Sequence, residues 1–249
     1  MILDNLPIGK IACQLVKAGP SLAMPPNTME RQTTAMTHDN AEHHEFDRDY
    51  WERHWGDARP MTEDPNPHLV AETADATPGS ALDAGCGTGT EAIWLAARGW
   101  QVTAVDITAA PLEQAAKRAA RAGLGDRIDW VAADLVGWEP SSPFDLVTTH
   151  YAHPAMAQLD FYARIAAWVA PGGTLLIVGH AAADGHHHDR GSAHGHHPAE
   201  ATATAPGITA RLDTEAWTVV TAEERQSTVI DPHGRSHPLR DVVVRAVRK

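Results

Sequence analysis

The chain has 249 residues, 43% of them apolar, which suffices for one large domain with a full core. Its 20 Lys and Arg against 32 Asp and Glu give a formal charge of −12, which excludes a sequence-independent grip on nucleic acid, since that needs a Lys/Arg-rich face to displace counterions. Two cysteines, Cys13 and Cys86, exclude a disulfide framework, and no apolar run is long enough to span a bilayer.

Residues 1–40 read as a poorly ordered leader, broken by Pro7, Pro20, Pro25 and Pro26 and polar from Asn27 onward. The leader has no basic n-region and fails as a signal peptide, so a reducing cytoplasm is the expected compartment. Met24, Met29 and Met36 lie inside it, and part of it reads as a mis-assigned translation start. A single domain is expected over residues 41–249. Its first element is a helix in which Phe46, Tyr50, Trp51 and Trp55 recur at helical spacing.

From Pro78 the pattern alternates strand and helix. Ser80 to Asp83, Val102 to Asp106, Ile128 to Ala132, Phe144 to Thr149 and Gly173 to Val178 read as buried strands. Glu91 to Ala97, Pro111 to Ala122 and Ala157 to Val169 read as helices between them. Two further strands, Trp217 to Ala222 and Asp241 to Val247, flank the turn-rich Asp231-Pro232-His233-Gly234. The order predicts an α/β fold: a doubly wound, seven-stranded, mostly parallel sheet whose last strand is antiparallel. Residues 181–207, rich in Gly, Ala and His, read as a flexible insertion. Nothing in that tract fixes a ligand geometry, so no structural metal site is expected.

The chemistry begins at the first strand. Asp83 ends it, and Gly85, Gly87 and Gly89 follow before a helix, so the backbone can turn tightly and come close to a ligand whose polar end meets the N–H groups of the helix start. The third glycine comes one residue too early for the dinucleotide fingerprint, which disfavours a nicotinamide oxidoreductase. Asp106 ends the next strand about twenty residues on, where a carboxylate can accept both ribose hydroxyls. Asp134 closes the third strand, where it can address an adenine edge. Three carboxylates at three successive strand ends make a nucleoside site.

On these residues the stretch from about Asn66 to Val178 resembles a class I S-adenosylmethionine-dependent methyltransferase, nearest to the tellurite-resistance and thiopurine group. Leu82 to Gly89 is similar to that family's first motif, and Phe144-Asp145-Leu146 and Pro171-Gly172-Gly173 fall where it places its fourth strand and the turn before its fifth. The resemblance implies S-adenosylmethionine as cofactor, with Asp83 and the backbone of Gly85, Cys86, Gly87 and Gly89 at its methionine portion. Asp106 would hold the ribose, Asp134 the adenine amine, and Ile107 and Leu135 would sandwich the ring. It also implies that His150, Tyr151 and His153, at the end of the fourth strand, face the methyl group; His150 or His153 reads either as a base for a weakly acidic acceptor or as a plain strand-end or loop histidine, and Tyr151 as orienting the acceptor. Aromatic faces stabilise a sulfonium, so Tyr50, Trp51 and Trp55 read either as a lid over the site or as plain packing of the first helix on the sheet edge.

The expected function is methyl transfer to a small molecule, a thiol, chalcogen oxyanion or heterocycle/hydroxyl. No nucleic-acid or membrane partner and a monomer or homodimer are expected. The other reading is a cofactor-binding, non-catalytic or metal-responsive protein that uses the histidine tract.

Overall fold

The computed structural model describes residues 46–57, 64–182, 201–230 and 236–249. The leader expected over 1–40 and the histidine tract from 183 to 200 lie outside the described residues.

The sheet grows outward from Ser80–Ala84 (β1), a strand buried over its last four residues. Its neighbours are Gln101–Asp106 (β2) and Phe144–His150 (β4), both parallel to it. Ile128–Ala132 (β3) lies outside β2, and Val169–Ala181 (β5) outside β4. Two residues, Thr202–Ala203 (β6), pair with the end of β5. Trp217–Ile230 (β7) and Ser236–Arg248 (β8) form a long hairpin, in which β8 runs antiparallel between β5 and the edge strand β7. The order is β3-β2-β1-β4-β5-β8-β7, with the final strand antiparallel as expected.

Period-two alternation explains why helices cover both faces. Leu82, Ala84, Val105, Val147, Leu175 and Ile177 point into one core layer, where Gln158–Ala166 (α5) and Ala205–Thr209 (α6) bring Phe161, Ile165 and Ile208. Ala81, Val102, Ala104, Leu146 and Leu176 point into the other, against Thr90–Ala97 (α3) and Ala109–Arg121 (α4), which bring Leu95, Leu112 and Ala119. Phe161 is fully buried, and truncating such a side chain to alanine costs about 3–5 kcal/mol.

Two elements escape the sequence pattern. Pro67–Glu72 (α2) is too short to show a period, and it starts because the Asn66 side chain accepts from His68 N at 2.9 Å with Pro67 at the first helical position. The end of the stretch 181–207, expected to be a flexible insertion, forms β6 and the start of α6, with Ala203 and Ala205 buried. The aromatic N-terminal helix is Arg48–Asp57 (α1). No helix of the described residues is long and apolar enough to cross a membrane.

Strand order reverses between β1 and β4, and in open α/β sheets such a switch point opens a crevice at the carboxyl ends of the strands.

Candidate functional site

The glycine loop occupies that crevice. Gly85, Gly87 and Gly89 all have positive φ, at 78°, 50° and 72°. A Cβ on Gly85 would fall 2.3 Å from the Cβ of Ala152, and one on Gly87 would fall 2.9 Å from the Trp55 ring, so bare backbone is needed at both points. Gly89 does other work. It caps α3, and its missing side chain admits the Trp130 ring, at 2.4 Å from a built Cβ.

Most of the loop's own N–H groups are engaged within the protein. Gly85 N and Cys86 N both donate to Val105 O, at 2.8 and 3.0 Å, Gly87 N donates to Asp106 Oδ2 at 2.8 Å, and Gly89 N donates to Cys86 O at 2.7 Å. These four donors are spent within the protein, and the helix proper starts beyond them at Thr90. The Cys86 thiol lies underneath in the core beside Ala81 and Leu95. Burial pushes its pKa up, with the Asp106 and Asp83 carboxylates adding to the shift, so it is no nucleophile.

A cleft of about 500 Å³, open to solvent, is lined among others by Gly85, Asp106, Ile107, Asp134, Leu135 and His153. The ends of β1, β2 and β3 and the loop after β4 thus meet in one groove. Asp106 is buried, and burial raises its pKa against the opposing hydrogen bonds of Thr108 and Gly87. Its Oδ1 accepts from Thr108 N and Oγ1, its Oδ2 from Gly87 N. A carboxylate has about four acceptor positions, so three are used and one on Oδ2 remains. Asp134 Oδ1 accepts from Val136 N at 2.9 Å. Behind the loop, Asp83 is 1% exposed and its Oδ2 makes no hydrogen bond. An unpaired buried acceptor of this kind costs about 1–3 kcal/mol.

Helix α1 closes the groove from above. Trp51 and Trp55 line it together with Phe46. Trp51 Nε1 donates to His153 O at 3.1 Å, the Arg48 guanidinium donates to Ile107 O, and the Phe46 ring lies 5.5 Å from that of His153. The helix therefore spans from the end of β2 to the loop after β4. Tyr50 meets Phe46 and Trp51 edge-on instead of lining the groove.

The three residues expected to face the reacting centre divide. His153 lines the groove, its Nδ1 3.0 Å from Gln158 Oε1. His150 and Tyr151 point elsewhere. His150 Nε2 is 3.3 Å from Thr148 Oγ1 and Nδ1 is 3.9 Å from Asp83 Oδ1. Tyr151 is the one non-glycine residue with positive φ among those described, at 53°, a conformation costing about 1–2 kcal/mol. It turns its hydroxyl to Asn66 Nδ2 at 3.5 Å, beside Asp241, and burial together with that carboxylate holds the phenol well above its usual pKa. Its ring stacks on His180, which stacks on His153, at 4.7 and 5.5 Å.

Sequence reasoning missed the partners on this side: Asn66, His68, Glu91 and Asp241. Asn66 N donates to Glu91 Oε1 at 3.1 Å, and His68 Nε2 lies 3.0 Å from Asp241 Oδ2. The only local signal was the capping asparagine before Pro67. Asp241 carries no signal, because its significance comes from pairing opposite His180 across β5 and β8.

Residues 81–173 match a family model described as a methyltransferase domain. An uncharacterized methyltransferase of Mycobacterium bovis is 41% identical over 99 residues, 39% of this chain and 48% of that one. A probable thiol methyltransferase of Arabidopsis thaliana is 30% identical over 141 residues, 51% of this chain and 60% of that one. Among solved structures, the N-methyltransferase NodS of Bradyrhizobium japonicum in complex with S-adenosyl-L-homocysteine superposes with a TM-score of 0.58 at 19% identity, covering 81% of this chain and 97% of that one. The chain spans 32–48% of the length of the first curated relatives it matches. Residues 81–173 are thus similar to a methyltransferase domain, and the sheet has the fold of solved methyltransferases.

Proposed function

We propose that this protein transfers a methyl group from S-adenosylmethionine to a small-molecule acceptor. The observation that carries the reading is the meeting of Gly85, Asp106, Ile107, Asp134 and Leu135 in one groove at the switch point of the sheet. The residues fit the cofactor. Ile107 and Leu135 supply apolar surface for a purine, Asp134 an acceptor for its amine and Asp106 Oδ2 a remaining acceptor for a ribose hydroxyl. Asp83 Oδ2 has no partner and suits the methionine ammonium. When bound, the cofactor supplies an electrophilic methyl group on a sulfonium.

The chain's own part is positioning and exclusion of water, for which alignment of two reactants contributes about 7–11 kcal/mol in favourable cases. Trp51 and Trp55 cover the groove with aromatic faces that favour a cation, and His153 stands at its rim. The acceptor is read as a thiol, chalcogen oxyanion or heterocycle/hydroxyl compound. Acceptor choice varies widely on this fold, and the matched relatives themselves include a thiol and an N-methyltransferase by name.

The test is calorimetric titration with S-adenosylhomocysteine followed by labelled methyl transfer to a panel of thiols, selenite, tellurite, phenols and N-heterocycles. Binding with turnover is expected. Binding without any turnover would instead support a non-catalytic cofactor-binding protein.

A further inference from the structure

Two walls of the groove are held by one helix. The turn after β3 brings Asp134 and Leu135 to the groove, and the loop after β4 brings Ala152 and His153. Since β3 and β4 flank β2 and β1 on opposite sides, these two segments stand at opposite ends of it. Side chains of α5 reach both. In the first turn of the helix Gln158, itself buried, donates from Nε2 to Ala152 O at 3.0 Å, and its Oε1 lies 3.0 Å from His153 Nδ1. Arg164 donates from Nε to Leu135 O and from Nη2 to Trp138 O, both at 2.9 Å, and pairs with Glu139 at 2.8 Å. Six helical residues set Gln158 and Arg164 about 9 Å apart along the axis and about 120° apart around it, which lets one helix serve both segments.

Neither contact anchors the helix, because Phe161, Tyr162 and Ile165 already bury its apolar face in the core. Nor does the ion pair explain Arg164, since Glu139 is 64% exposed and exposed pairs contribute little. What the guanidinium does is complete a turn. Val136 N donates to Asp134 Oδ1, while Gly137 N and Trp138 N donate to Asp134 O, which closes the turn from within. The carbonyls of Leu135 and Trp138 are left for a donor from another element, and the planar fork of Arg164 takes both. At the other end, Ala152 O orients the Gln158 amide, so its oxygen and not its nitrogen meets His153. The neutral imidazole therefore carries its hydrogen on Nδ1.

We infer that α5 sets the two ends of the groove separately: Arg164 is a positioning residue for the adenine end of the cofactor, and Gln158 is a positioning residue for the acceptor side, where it fixes the ring and tautomer of His153. The inference rests on the methyl-transfer reading above. Neither residue is among those that line the groove, and each acts through the lining residues it holds. Arg164 acts through Asp134, the acceptor for the purine amine, and Leu135, the apolar surface beside the ring. Gln158 acts through Ala152 and His153 in the loop after β4. Cofactor affinity and acceptor turnover thus depend on two different side chains of the same helix.

The test compares wild type, Arg164→Lys and Gln158→Leu. Calorimetry gives the affinity for S-adenosylhomocysteine, and kcat and KM are measured on whichever of thiophenol, selenite, phenol and benzimidazole wild type methylates fastest. Arg164→Lys keeps the charge and loses the fork, and should weaken S-adenosylhomocysteine by at least about tenfold while the acceptor KM stays within about twofold. Gln158→Leu should leave that affinity within about threefold and lower kcat/KM for the acceptor by at least about tenfold through misplacement of the loop. Nitrogen-15 NMR of histidine-labelled protein at pH 8 should show Nδ1–H at His153 in wild type and in Arg164→Lys, and loss of that preference in Gln158→Leu. A purely structural role would lower the melting temperature and move affinity and turnover together in both variants, and that result overturns the inference. So do an unchanged affinity in Arg164→Lys and an Nε2–H tautomer at His153 in wild type. If wild type binds S-adenosylhomocysteine and methylates none of the four, the methyl-transfer reading falls together with the Gln158 assignment, and the calorimetry alone decides that of Arg164.

Discussion

The Cβ of Ala152 stands 2.3 Å from the point where a Cβ on Gly85 would fall, so the end of β1 and the loop after β4 touch across bare backbone. That contact sets the floor of the groove, since both residues line it. Gly85 also holds φ at 78°, where a side chain costs about 1–2 kcal/mol before any clash is counted.

Gly85→Ala should therefore weaken S-adenosylhomocysteine binding by at least about tenfold, equivalent to about 1.4 kcal/mol. The double variant Gly85→Ala, Ala152→Gly should recover part of the loss, because the steric share is removed and the backbone share is not. Calorimetry on the four proteins of this cycle measures both shares. Additive effects would show that the two residues do not share a contact.

Asp106→Ala should cost at least about tenfold in cofactor affinity through loss of a charge-assisted hydrogen bond. It should also lower the melting temperature, since Gly87 N, Thr108 N and Thr108 Oγ1 all lose their acceptor. Asp106→Asn keeps an acceptor oxygen and should fall between wild type and alanine on both measurements. Unchanged affinity in Asp106→Ala would remove the nucleoside from this end of the groove.

Trp51 separates two roles that its ring and its N–H play. Trp51→Phe keeps an aromatic face and loses the hydrogen bond to His153 O, about 0.5–1.5 kcal/mol, so cofactor affinity should drop about two- to tenfold. Trp51→Ala also uncovers the groove and should drop it further. Equal affinities of the two variants would mean that the aromatic face contributes nothing to binding.

Glu91 predicts a pH-dependent stability. Burial raises its pKa from the usual 4.5, with His150 opposing the shift and Asp83 reinforcing it. The native state then holds the proton more tightly than the unfolded chain, so this group favours folding below the unfolded value and that advantage is lost as pH rises through the folded one. Glu91→Gln, which keeps an acceptor for Asn66 N, should melt higher than wild type at pH 8, and the gap should close as pH falls below about 4.3. A lower melting temperature for the variant at pH 8 would show that the anion is needed to hold the fold.

The strands and helices from β1 to β5 were legible because each buries one kind of periodic face, and strand-end residues such as Asp83, Asp106 and Asp134 can be read as soon as the strands are placed. The short helix α2 was not legible, since six residues hold less than two turns of pattern. The pair it carries, His68 and Asp241, is separated by 173 positions and joins through a strand order no local pattern encodes.

Sequence alone determined the parallel core, the glycine loop and the succession of carboxylates, because local periodicity and backbone freedom are properties of neighbouring residues. Tertiary structure alone decided what those groups have left to offer a ligand. Only with β2 laid against β1 does Val105 O consume the N–H groups of Gly85 and Cys86, so that these two have no donor left to offer. Likewise only the folding of β8 between β5 and β7 brings Asp241 to His68, because hydrogen-bond partners and burial are set by distance in space and not along the chain.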